Sequence, residues 1–113
     1  MSTKFVLTRD INGYNAFGVT FAENNYQTNL ATNTAQSLTV PSNFQTWLAI
    51  FAIEPGSNVF IANNATAVVP GSSFAETNTQ YIPTARQVSG GDVLSFITPD
   101  TSAYVGVSLY AIA

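Results

Sequence analysis

The chain has 113 residues, a formal net charge of −3, and a composition that is 46% hydrophobic but only 8% charged. That length gives one domain with its own core and not two. With no cysteine and no histidine, it has no disulfides, no thiolate or imidazole metal site and no Cys- or His-based catalytic set.

Residues 1–15 read as an arm. "TKFVLTRDINGYN" joins an apolar triplet to a charged pair and ends in the turn dipeptide Asn12-Gly13. The segment is either a first strand followed by a tight turn or a tail that orders against a partner. "AFGVTFA" then alternates, with Phe17, Val19 and Phe21 on one face. "NYQTNLA" is a weaker strand and "TNTAQ" a polar connection. In "SLTVP", Leu38 and Val40 alternate and Pro41 ends the strand. "SNFQ" turns into "TWLAIFAI", an apolar strand over Thr46–Ile53 that calls for burial on both faces, or for a core on one and an interface on the other. Pro55-Gly56 makes the following turn. "NVFIA" returns, so that 46–62 is expected to be a hairpin at the centre of the fold.

Asn63-Asn64 is a further turn, since Asn tolerates positive φ. "ATAVVP" is a short strand ending at Pro70, and "GSSFAETNT" a loop. "QYIPTARQV" reads as one edge strand, because Pro83 cannot donate to a ladder. "SGG" turns, "DVLSFIT" alternates through Val93, Leu94 and Phe96, and "PDTS" turns again. "AYVGVSLYAIA" closes the chain. No segment has apolar residues at helical spacing with caps.

The pattern is all-β: about eight short strands with turn signals every 8 to 12 residues, as in a single-domain antiparallel β-sandwich, jelly-roll-like. The domain is expected over 16–113, with 1–15 as its arm or first strand. Such a fold must guard its edges, and the usual lysines are missing. Edges covered by another subunit, in a homo-oligomer or on a larger assembly, are the economical alternative.

Function classes narrow next. The only basic residues are Lys4, Arg9 and Arg86, too few to displace counterions from nucleic acid or to hold a membrane surface. The longest uninterrupted apolar run, Trp47–Ile53, is far short of a bilayer span. "MSTKFVLTRD" lacks the apolar stretch of a secretion leader, so synthesis in a cytoplasm without general export is expected. Of the six carboxylates, Asp92 and Asp100 flank one strand and the others sit mainly in turns; none forms a glycosidase pair or a calcium-loop spacing. Gly90-Gly91 opens no helix and so is no phosphate cradle. No enzyme activity and no cofactor are expected. Trp47, Phe51, Phe60 and Phe96 read as core. Tyr14, Tyr26, Tyr81, Tyr104 and Tyr110 suit either a sugar-binding face or a protein interface. Arg86, a lone cation in a strand, is expected to pair with Glu54, Glu76 or Asp92, within the subunit or across an interface.

The succession "SLTVP", an apolar strand, "NVFIANNATAVVP" and "ARQVSGGDVLSFITPDTSAYVGVSLYAI" resembles small structural proteins of tailed bacteriophages, in particular capsid decoration or cement proteins. The likeness covers about residues 35–112 and lies in pattern and composition. It implies a β-sandwich or jelly-roll domain on the outer surface of the virion head, present as dimers or trimers, binding the major capsid protein and clamping capsomers. It carries no catalytic residues. Amides and hydroxyls, 40 of the 113 residues, suit broad adhesion because they bond in many geometries without the desolvation cost of charge. Candidate contacts with capsid or neighbouring subunit are Lys4, Phe5, Val6, Leu7, Arg9 and Tyr14 of the arm, which could add a strand to a neighbour's sheet, and Arg86. A tail or fibre component, or a carbohydrate-binding sandwich, is the alternative.

Overall fold

The computed structural model describes residues 2–113, and for residues 15–17 the backbone only. It is all-β, with ten strands: β1 (Leu7–Arg9), β2 (Asn15–Val19), β3 (Asn24–Ala31), β4 (Gln36–Thr39), β5 (Thr46–Ile53), β6 (Phe60–Asn63), β7 (Thr79–Tyr81), β8 (Ala85–Ser89), β9 (Val93–Ile97) and β10 (Ser102–Ala111). Two four-stranded antiparallel sheets, β3-β10-β5-β8 and β4-β9-β6-β7, form a sandwich, and β1-β2 is a separate ribbon.

The pairing is nested. The first sandwich strand lies beside the last (β3·β10), the second beside the next-to-last (β4·β9), then β5 beside β8 and β6 beside β7. Contacts β10·β5 and β9·β6 join these pairs into sheets. Inward-facing residues of both sheets meet in one core around Leu30, Trp47, Val59, Leu94, Val107 and Leu109. Trp47 is fully buried, and its indole N–H donates to the Phe44 carbonyl at 3.2 Å. Phe51 and Phe96 meet edge-to-face across the sandwich, their ring centroids 6.1 Å apart. Phe60 joins a smaller cluster with Ala62, Ala67 and Ile97.

Three sequence expectations are corrected. Thr46–Ile53 and the following strand are no hairpin: β5 pairs with β10 and β8, and β6 lies in the opposite sheet. The turn at 54–57 does form, closed by Ser57 N–H to Glu54 C=O with Gly56 at φ 82°, but it leads the chain across the sandwich. Residues 65–70 are not a strand. Their backbone turns to a side chain instead, the Ala67 N–H donating to Ser95 Oγ. The segment 80–88 is two strands, β7 and β8, one in each sheet, with buried Pro83 at the crossing. Both are edge strands.

Continuous burial falls on β9. Leu94 and Phe96 enter the main core, while Ser95 and Ile97 are covered by the 64–70 segment. On β5, Leu48, Ile50 and Ala52 lie on the outer face and stay half-buried or exposed. Of the expected Phe17, Val19 and Phe21 face, the Phe17 side chain lies outside the described residues. Phe21 falls beyond β2 and is 98% exposed.

Close backbone approach dictates one glycine. A Cβ at Gly90 would sit 2.3 Å from the Phe44 carbonyl oxygen and 3.1 Å from that of Pro41. The turn after β8 is therefore pressed onto the β4–β5 connection, where the Gly90 N–H donates to Gln45 C=O.

Candidate functional site

The N-terminal candidates divide between anchor and ribbon. Residues 3–5 run alongside the end of β10: Phe5 N–H donates to Ala111 C=O at 2.9 Å, Ala111 N–H donates to Thr3 C=O at 2.8 Å, and Lys4 bridges Ala111 in parallel. The Phe5 ring meets Tyr110 edge-on at 5.8 Å. Tyr110 is buried, and its hydroxyl donates to Thr20 C=O. Glu23 N–H donates to Thr3 Oγ1. These contacts fix the base of the ribbon at both ends.

Beyond the base, β1 and β2 pair with each other, Leu7 opposite Val19 and Arg9 opposite Asn15, so the hairpin runs across residue 15. Asp10 shapes the tip: its Oδ1 accepts from Asn12 N–H and Tyr14 N–H, and Gly13 takes φ 83°. Arg9 Nη1 donates to Gly13 C=O at 2.9 Å. Val6, Leu7, Ile11 and Tyr14 are exposed, Ile11 to 98%.

The outer face of the β3-β10-β5-β8 sheet is a second surface. Its strand residues include Asn25, Gln27, Ser108, Ile50, Ala52 and Gln87, and the register puts no charged side chain on it. A shallow depression at Gly106 is bounded by Tyr104, Gln27 and Glu54.

The two lateral edges of the sandwich are closed by similar means. At one, Thr28 Oγ1 on β3 lies 3.2 Å from Gln36 Oε1 on β4. At the other, Arg86 Nε on β8 donates to Gln80 Oε1 on β7 at 2.8 Å. Each contact bridges the two sheets. Arg86 Nη1 also donates to the Ala85 carbonyl. Within the subunit Arg86 does not pair with Glu54, Glu76 or Asp92: an amide on the facing sheet edge holds the guanidinium instead. Behind this latch lies a cavity of about 190 Å³ floored by Phe51, Ile61, Val88 and Leu94, with Asn63, Asn78, Gln80 and Arg86 around it.

Glu54, Asp92 and Asp100 each accept from a backbone N–H. Asp100 accepts from Asn58 N–H and Glu54 from Tyr104 N–H. Asp92, at the other end of β9 from Asp100, accepts from Ser89 N–H, Asn63 Nδ2 and Asn64 Nδ2. Burial works to raise its pKa, but those three hydrogen bonds outweigh it, and the carboxyl titrates below its ordinary range. Among the described residues no group of three or more acids could hold a metal. No described helix is long and apolar enough to cross a membrane.

The tyrosines are dispersed. Tyr14 lies at the ribbon tip, Tyr26 on β3, Tyr104 on the outer face of β10, and Tyr81 on β7, its ring tilted against Phe60 with centroids 5.0 Å apart. Sequence reasoning missed Ile11 and Phe74 and placed Phe21 on a strand face; all three are essentially fully exposed. The signal for Phe74 is its place in the polar loop "GSSFAETNT". No family model, curated protein or solved structure matches the chain.

Proposed function

We propose that the chain is a non-enzymatic structural protein of a bacteriophage particle: a decoration or cement protein that binds the major capsid protein on the outer surface of the head. In this reading it acts as a dimer or trimer and clamps adjacent capsomers. The observation that carries the proposal is the β1–β2 ribbon, which exposes Val6, Leu7, Ile11 and Tyr14. An isolated two-stranded ribbon is at best marginally stable in water, and exposed apolar groups gathered on one element mark an interaction site. The uncharged outer sheet face adds a broad surface rich in amides and small side chains, suited to adhesion without stripping charges of water. The nested strand order supports a jelly-roll assignment, an architecture that viral capsid domains use.

The test replaces Val6, Leu7, Ile11 and Tyr14 together by serine. The variant should keep the thermal unfolding of the parent and bind heads lacking the protein at least ten-fold more weakly. Equal binding by parent and variant would remove the ribbon from the interface and the main support from the proposal.

A further inference from the structure

We propose that the cavity at the β7–β8 edge is a binding site for a carboxylate carrying a small apolar group, with Arg86 as its anion-recognising residue. This stands apart from the decoration role and does not depend on it.

The two edges of the sandwich provide an internal comparison. Thr28 and Gln36 bridge the β3–β4 edge with neutral groups, so bridging the sheets requires no charge. At the β7–β8 edge the equivalent bridge uses Arg86, the only basic residue after Arg9. A guanidinium has five N–H donors. Nε donates to Gln80 and one Nη1 hydrogen to the Ala85 carbonyl, which leaves three. No carboxylate neutralises Arg86 among the described residues. Asp92 lies behind Asn63 with its oxygens already engaged by Asn63, Asn64 and Ser89.

Arg86 is exposed, and its side chain lines the mouth of a cavity. Its floor is Phe51, Ile61, Val88 and Leu94, three of them almost fully buried. Asn63, Asn78 and Gln80 add amides at the rim. An apolar floor with a few convergent polar groups and one unneutralised charge is the ordinary make-up of a small-ligand site. Guanidinium geometry matches a carboxylate in a planar, two-point contact. The backbone next to the lining residue Pro83 carries strain as well: Ile82, a β-branched residue, takes φ 45° where the chain crosses between the sheets. Such conformations are costly and gather at ligand sites. Here the crossing sets Gln80 and Arg86 facing each other.

The experiment is a titration of the ¹⁵N-labelled full chain with 4-methylpentanoate, with its neutral amide, and with a blocked Leu-Glu dipeptide whose only carboxylate is the side chain. The acid should shift the Arg86 Nε–H and the Gln80 and Asn78 side-chain amides with one saturating curve. The neutral amide should bind at least ten-fold more weakly, and Arg86→Gln should bring the acid down to that level while leaving the rest of the spectrum in place. Tighter binding of the free acid identifies a small metabolite as the source of the carboxylate; tighter binding of the dipeptide identifies an acidic protein side chain. Equal binding of acid and amide, or no shift at Arg86 with either carboxylate, would overturn the proposal.

Discussion

Asp92 accepts three hydrogen bonds from two stretches of chain: one from the Ser89 turn, and two from Asn63 and Asn64 at the end of β6. The Val40 N–H donates to its carbonyl, and Asn64 completes the knot by exchanging hydrogen bonds with Val93. Because these contacts favour the charged form, the carboxyl holds its proton less tightly folded than unfolded. The stability it contributes is therefore complete above the unfolded carboxylate pKa and is lost as pH falls through the lower folded value. Asp92→Asn should cost about 1 kcal/mol at neutral pH, the scale of a net hydrogen bond. The gap to the parent should narrow in acid below the ordinary carboxylate range. Chemical denaturation at a series of pH values measures this, and a gap that stays constant with pH would contradict it. The placement of acids in turns was legible in the sequence, since Asp92 follows Gly90-Gly91. The partner of Arg86 was not, because partner choice depends on which edges face each other, and nothing local marks Gln80 as opposite.

At the scale of elements, the segments were legible and their destinations were not. Strand boundaries follow alternation and turn residues closely, as at Thr46–Ile53 and the closing strand. Alternation reports which residues share a face and says nothing of which sheet receives them. The turn at Pro55-Gly56 carries the same residues whether it closes a hairpin or crosses a sandwich, so β5 and β6 looked like partners. Pro83 signalled an edge correctly, yet it separates two short edge strands and does not sit within one. The ribbon differs from every other element. Its strands pair only with each other, and Val6, Leu7, Ile11 and Tyr14 face water. Backbone amides of Leu7–Arg9 and Asn15–Val19 should therefore exchange at least a hundred-fold faster than those of Val105 and Val107 in the central β10, since local opening there exposes no core. Comparable protection in both would mean that the ribbon is held by contacts in the free chain and needs no partner to order it.

On the scale of the whole molecule, the nested pairing joins the most distant strands, with Ala31 opposite Ser102 and Asn24 opposite Leu109. Pairing between strands so far apart in sequence places the fold among topologies dominated by non-local contacts. The all-β class and sandwich-like layering could be read from the short strands and frequent turns. The nesting could not, because long-range pairing leaves no periodic trace. The molecule measures 52 × 29 × 25 Å, while its longest strand, ten residues, spans about 33 Å. The proposed decoration role rests on the exposed apolar side chains of the ribbon and on the uncharged sheet face. The measurement that tests this most directly is the copy number of the chain in purified virions of its source, relative to the major capsid subunit, by quantitative mass spectrometry. A decoration protein should be present in a fixed ratio close to that of the capsid lattice. A handful of copies per particle, or none, would contradict the account.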